Sequence, residues 1–300
     1  MKDLRDIRYF LLDMDGTIYL DSTLFDGTLD FLETLKAQNK RAIYITNNSS
    51  KGVDAYVEKL AAFGIKASPA DFYTSAQSLV YNLNKVSPGS KIFLLGAPSL
   101  ENFMVNEGFQ LVKEYTEEAC KRPDFVVLAF DTSLTYRKLT DACHYITEGV
   151  TYWATHPDLV CPYTKKFSLP DAGAIMECIR AATGGRMPSF IAGKPNPYMI
   201  TMFMEEHGVT PDQVAVVGDR LHTDILAAKN AGVTSVCVLS GETSLADIEA
   251  SDIKPDFVFD SIKDPGLACL LGVDFSGGVI LFNQFLYQTR KEHNRNNGNM

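Results

Sequence analysis

Short apolar runs alternate along the chain with longer stretches in which apolar residues recur every three or four positions. The runs Tyr9–Asp13, Arg41–Thr46, Lys91–Leu95, Asp124–Phe130, Thr151–Thr155, Ser189–Ala192, Val214–Gly218, Ser235–Leu239 and Asp256–Phe259 are rich in branched and aromatic residues. Most lack a polar alternation, the pattern of strands covered on both faces. Between them lie helical patterns. Val53, Val57, Leu60 and Ala61 share one helix face, with Gly64 as the stop, and Leu139, Cys143 and Ile146 share another within Leu134–Glu148. Alternating strand and helix predict an α/β fold: a doubly wound, Rossmann-like parallel sheet with helices on both faces.

The 300 residues suggest two domains at roughly 100–200 residues each. No single linker divides the chain. Two turn-rich stretches, Lys85–Ser90 and Thr183–Pro188, instead bracket an insertion. The predicted organisation is therefore a core domain from residues 1–82 and 188–272, interrupted by an inserted α/β domain over 83–187. A C-terminal extension, 273–300, ends in the polar tail Lys291–Met300, and its apolar pattern Val279–Tyr287 suits packing on the core or on a partner subunit.

Hydrophobic residues make up 46% and charged residues 22%, enough for a globular core without disulfides. The six cysteines, Cys120, Cys143, Cys161, Cys178, Cys237 and Cys269, form no paired motif and read as reduced core thiols. Acidic residues outnumber basic ones 37 to 28, a net charge of −9, which disfavours nucleic acid. The same field repels phosphorylated metabolites unless a metal or local cations reverse it. The charged N-terminus is no signal peptide, and no apolar stretch approaches the ~20 residues of a membrane span. These features predict a soluble, cytoplasmic protein with no membrane partner.

In open parallel sheets, ligands bind beyond the carboxyl ends of the strands, and four groups of residues fall there. Asp13-Met14-Asp15-Gly16-Thr17 places two carboxylates two residues apart, where they repel unless a cation or different protonation states separate them. Thr46-Asn47-Asn48-Ser49-Ser50 leads toward a helix, as an anion site or as a simple cap. Pro195 holds Lys194 out of the helical region, at a strand end or on a solvated surface. Gly218-Asp219-Arg220 supplies a third carboxylate, and Asp224 either orients a neighbour or offsets helix charge. Together they compose a phosphoryl-transfer site: a carboxylate able to accept a phosphoryl group, oxygen ligands suited to Mg²⁺, and a metal charge that answers the acidic field.

Residues 9–17 (YFLLDMDGT), 44–50 (YITNNSS), 192–199 (AGKPNPYM) and 217–225 (VGDRLHTDI) resemble, in order, the four motifs of the haloacid dehalogenase (HAD) superfamily. The likeness is greatest to its class IIA, the NagD-like and nitrophenylphosphatase branch. Val126–Tyr136, Ala154–Asp158 and Leu169–Ile175 agree with that branch, and the similarity spans roughly residues 8–270. The resemblance implies a phosphatase for a small phosphorylated metabolite, such as a sugar phosphate. In it Asp13 is the nucleophile and Asp15 the general acid, then base. Thr46 and the amide of Asn47 hold the phosphoryl oxygens, with Asn48 close by, and Lys194 neutralises charge. It also implies Mg²⁺ on the Asp13 and Asp219 carboxylates and the Asp15 carbonyl, with Asp224 behind them, and makes the insert a cap. One position departs from the branch: Ala228 stands where relatives often carry Gly, with no chemical consequence expected.

His156-Pro157-Asp158 follows a strand end of the insert, facing substrate or serving structure, and Trp153 reads as core. A homo-oligomer is compatible with the sequence. Two rival functions share the residue set: a phospho-aspartate signalling receiver, which needs no cap, and a non-catalytic phosphometabolite-binding protein, which needs no Asp15.

Overall fold

The computed structural model describes residues 4–162 and 167–271. Six parallel strands form one sheet, in the order Phe257–Phe259, Thr234–Val238, Val214–Gly218, Tyr9–Asp13, Arg41–Thr46 and Phe72–Thr74. Side chains alternate across it. Phe10, Leu12, Tyr44, Ala215 and Val217 join Phe31, Leu35, Tyr56 and Leu60 of the helices Thr28–Ala37 and Val53–Ala62. Leu11, Ile43, Ile45, Val214 and Val216 meet Ile200, Phe203, Ala227 and Ala228 on the opposite face. Each large apolar side chain so buried contributes about 1.5–3 kcal/mol. That explains why these strands read as unbroken apolar runs. At the end of Val53–Ala62, Gly64 takes φ +82°, a conformation that glycine adopts without a Cβ penalty.

Five further parallel strands form a second sheet, in the order Phe190–Ile191, Thr151–Ala154, Phe125–Leu128, Lys91–Leu95 and Gln110–Val112. Helices Ser75–Val86 and Pro98–Asn106 cover one face, and Tyr136–Thr147 and Ala172–Ala182 the other. Trp153 is buried in the first of these layers, with its ring centroid 4.4 Å from that of Phe190. The architecture is a doubly wound, Rossmann-like parallel sheet joined to a second α/β unit.

The sequence-based boundary at 83 falls inside the helix Ser75–Val86, and that at 188 lies just before the strand Phe190–Ile191; both elements serve the second sheet. Phe190–Ile191 pairs with Trp153–Ala154 and not with the first sheet. Helix Ser75–Val86 lays Ala76, Leu79, Val80 and Leu83 on the second sheet while Tyr81 and Lys85 bind Glu205 of the first half. One amphipathic helix thus belongs to both halves, which no local pattern can reveal.

Of Cys120, Cys143, Cys161, Cys178 and Cys237, Cys237 is buried, Cys143 and Cys161 are half-buried, and Cys120 and Cys178 are exposed. The core-thiol expectation is corrected for the latter two. Cys178 falls on the outer side of a helix whose inner face is Ala172, Ile175, Met176 and Ile179. No helix among the described residues is long and apolar enough to cross a membrane. The pattern Val279–Tyr287 lies outside the described residues.

Candidate active site

Strand register places the chemistry. Tyr9–Leu12 pairs with Val214–Val217 on one side, and Asp13 pairs with Ile45 on the other. Asp13 therefore ends its strand level with Gly218, while Asp219 and Thr46 stand one step further along the two neighbours. The Lys194 ammonium reaches the same point. Its Nζ donates to Asp13 Oδ1 at 2.5 Å and to Asp224 Oδ1 at 2.6 Å. Close backbone approach requires glycine here, since a Cβ on Gly218 would lie 2.3 Å from that of Asp224.

Carboxylate oxygens of Asp13, Asp219 and Asp224 lie within 4.8 Å of one another, and all three residues are buried. One ammonium faces three carboxylates. Burial raises the Asp13 pKa well above the usual carboxylate range, with Lys194 opposing and the other two carboxylates adding to the rise. Burial, then Asp224, pushes Asp219 up to about 6. Burial would lower Lys194, but its two carboxylates outweigh that and hold it above its ordinary value. Asp219 accepts hydrogen bonds from the Glu242 N–H at 2.8 Å and Thr17 Oγ1 at 3.3 Å. Asp224 Oδ2 accepts from the Arg220 N–H at 3.1 Å.

This donor set fits a small divalent cation. Hard carboxylate oxygens converge, and their excess of two negative charges over Lys194 equals the charge such an ion carries. Asp224 sits in the cluster itself, buried in a π-helical turn, Leu221–Ile225. It does not merely offset charge at a helix end.

Asp15 stands apart from the cluster. The chain turns sharply after Met14, whose carbonyl accepts from the N–H groups of Thr17, Ile18 and Tyr19, and Gly16 takes φ +92°. The Asp15 side chain is 41% exposed. Burial of the remainder raises its pKa, and Lys59 pulls the other way from 3.9 Å. Tyr19 Oη donates to it at 3.4 Å. Solvent limits both effects.

The loop after Thr46 is pinned on all sides. Thr46 Oγ1 accepts the Asn48 N–H at 3.2 Å. The Asn47 side chain is spent on structure: Oδ1 accepts the Lys194 N–H at 2.8 Å, and Nδ2 donates to the Lys194 carbonyl and to both oxygens of Asp158. Asn48 Oδ1 accepts from both the N–H and the hydroxyl of Ser50.

His156, read from sequence as facing substrate or serving structure, is fully buried and bonded to Asp171 and Thr155. Sequence reasoning missed Lys59 and Tyr19 beside Asp15, which no motif spacing marks. Ser49, Thr155 and Asp171 lie in stretches that it singled out, but the contacts that join them through His156 were not foreseen. Lys59 lies on the helix after the Thr46 loop and meets Asp15 only through the tertiary fold.

These elements place a buried cluster of carboxylates with one lysine, and a hydrogen-bonded polar loop, at the carboxyl edge of a parallel sheet. Residues 10–110 match the family model for haloacid dehalogenase-like hydrolases, and residues 191–265 match a HAD-hydrolase-like model. A 4-nitrophenylphosphatase from Thermotoga maritima is 46% identical, with a TM-score of 0.82 over 89% of this chain and 98% of that one. A glycerol phosphate phosphatase from Mycobacterium tuberculosis, solved with magnesium, is 30% identical, with a TM-score of 0.78 over 88% and 78%. An acid sugar phosphatase of Staphylococcus aureus is 31% identical over 87% of this chain and 97% of its own length. The chain belongs to the haloacid dehalogenase-like hydrolases, in the branch of the NagD-like and 4-nitrophenylphosphatases, and is a phosphatase.

Proposed function

We propose that this phosphatase is a Mg²⁺-dependent phosphomonoesterase that works through an aspartyl-phosphate on Asp13. Its substrates would be small phosphorylated metabolites of the sugar or polyol class. The observation that carries the reading is Asp13 itself. It is a strand-end carboxylate paired with buried Lys194, at the mouth of a loop suited to anions. The names of the relatives, a glycerol phosphate phosphatase and an acid sugar phosphatase, support the substrate class.

In the first step the Asp13 carboxylate attacks phosphorus, the ester P–O bond breaks, and Asp15 gives its proton to the leaving alkoxide. In the second, Asp15 takes a proton from water, which attacks the phosphorus of the acyl phosphate. Inorganic phosphate departs and the Asp13 carboxylate returns. Asp15 serves both steps because burial raises its pKa while Lys59 restrains the rise. Thr46 and the backbone of Asn47 would hold phosphoryl oxygens beside Asn48, and Lys194 would offset their charge. The metal would be held by the carboxylates of Asp13 and Asp219 and the carbonyl of Asp15, with Asp224 bracing Lys194. When bound, it supplies positive charge against a phosphoryl oxygen.

The second α/β unit, about residues 83–187 with the strand to Ile191, would act as a cap that excludes water and contacts the leaving group. Free thiols fit a reducing, cytoplasmic setting.

The test is phosphate release from a panel of phosphorylated metabolites with Mg²⁺ or with EDTA, beside Asp13→Asn. Metal-dependent release that the variant lacks is expected. A fully active Asp13→Asn protein overturns the assignment.

A further inference from the structure

The anion loop of the first half is tied to the second half by a buried line of side chains. Ser49 Oγ accepts the Phe130 N–H at 3.0 Å and lies 3.3 Å from Thr155 Oγ1. Thr155 Oγ1 lies 2.8 Å from His156 Nδ1, and His156 Nε2 lies 2.9 Å from Asp171 Oδ1. The same Asp171 oxygen accepts the Ala172 N–H at 2.6 Å. Ser49, Thr155, His156 and Asp171 are all buried.

A carboxylate only accepts, so His156 carries a hydrogen on Nε2. Burial opposes charge on the ring, but Asp171 outweighs it and holds the His156 pKa above its ordinary value. Thr155 Oγ1 sits between Nδ1 and the Ser49 hydroxyl and has the Leu128 carbonyl as a further acceptor at 3.4 Å, while Ser49 accepts from Phe130. Every polar group of the line is thus paired, whichever of the two hydroxyls gives the hydrogen between them. Buried polar groups satisfied in this way fix a geometry, because breaking any link strands a partner without water.

What the line fixes is Ser49, in the middle of a loop that no strand ladder holds. Its other anchors are the Asn47 side chain, bonded to Lys194 and Asp158, and three hydroxyls on carbonyls: Ser75 on Asn47, Tyr56 on Asn48 and Ser99 on Ser50. An anion site made from loop backbone binds well only when its N–H groups already point at the ligand. We propose that Thr155, His156 and Asp171 are positioning residues which, through Ser49, hold the Thr46–Ser50 loop in its phosphate-binding shape. The second half of the molecule thereby sets phosphate affinity without touching phosphate. This rests on the phosphohydrolase reading of the site.

The experiment is inorganic phosphate binding by calorimetry in saturating Mg²⁺, beside KM, kcat and the thermal midpoint. The variants are Thr155→Val, Thr155→Ser, Ser49→Ala, His156→Leu and the Ser49→Ala/Thr155→Val pair. Thr155→Val and His156→Leu are each expected to weaken phosphate about fivefold, the factor of one ordinary hydrogen bond, and to raise KM alike. Their kcat changes less. Thr155→Ser keeps the hydroxyl and is expected to bind like the parent. The double variant is expected to be no worse than its worse single, because both cut one line. Phosphate affinity within twofold of the parent in Thr155→Val or His156→Leu overturns the proposal, even if stability falls. So does a Thr155→Ser protein no better than Thr155→Val, or a double variant whose losses multiply. A parent that binds no phosphate overturns the phosphohydrolase reading and this proposal with it; a parent that binds normally while the variants match it overturns the proposal alone.

Discussion

Neutralising Asp219 should stabilise the metal-free protein, although it removes a buried hydrogen-bonding group. Asp219 is 2% exposed, and burial with Asp224 lifts its pKa from 3.8 to about 6. A carboxyl raised in the folded state favours folding in its protonated form. Its contribution is fully present below the unfolded pKa and is lost as pH rises through about 6. The two or so units between the states correspond to about 3 kcal/mol at neutral pH and above. Asparagine escapes that penalty but can satisfy only one of the two donors, the Glu242 N–H and Thr17 Oγ1, at a cost of about 1 kcal/mol. The net gain is about 2 kcal/mol. For a chain of this size it should appear as a rise of about 4–8 °C in thermal midpoint. The assay is thermal unfolding of parent and Asp219→Asn in EDTA near pH 8, repeated with Mg²⁺. The parent should gain stability from Mg²⁺ and the variant much less. An Asp219→Asn protein that melts at or below the parent in EDTA, or responds to Mg²⁺ as fully, refutes the electrostatic argument.

Asp15→Asn should lower kcat by about 10²–10⁴-fold with an unchanged melting point, because the side chain is only half-buried; steady-state kinetics and calorimetry check both halves of that statement. Lys194→Met leaves Asp13 and Asp224 buried without their cation. It should cost about 3–5 kcal/mol in urea unfolding, and parent-like stability would contradict the charge balance drawn here. Gly16→Ala forces a Cβ into φ +92° and to within 2.5 Å of Asp219 Oδ2. It should cost about 1–3 kcal/mol and abolish the thermal shift on adding Mg²⁺.

The strands that flank the site were legible because burial on both faces leaves unbroken apolar runs. Tyr9–Asp13, Arg41–Thr46 and Val214–Gly218 occur with the bounds their sequences suggest. Phe72–Thr74 and Gln110–Val112 were not. Three residues carry no period, and the first is wedged between a one-turn helix and the cap of the next. Phe190–Ile191 shows a different limit. Its apolar character announced a strand, but which sheet it joins is decided by Trp153 and Ala154, far away in sequence. Within the site, strand ends brought forward Asp13, Thr46 and Asp219, because parallel strands share one carboxyl edge; Lys194 also follows a strand, but one of the second sheet, and its ammonium reaches Asp13 from there. Lys59 was illegible, and so was the contact of Asp171 with His156, although Asp171 lies in a stretch that carries the family likeness. Each lies at or within a helix start or surface where charged residues are ordinary, and each meets its partner only through tertiary packing.

The central claim is that Asp13 carries the phosphoryl group. Its most direct test is mass spectrometry of Asp15→Asn, quenched in acid after mixing with an aryl phosphate that the parent hydrolyses, whose phenolate leaves without the proton that Asp15 would give in the first step. The variant lacks the base for the second step, so the account predicts one added phosphoryl group, mapped to the peptide containing Asp13 and absent from Asp13→Asn/Asp15→Asn. An adduct on another residue, or none at all while Asp15→Asn still turns over slowly, would mean that water attacks the substrate directly and that Asp13 is not the nucleophile.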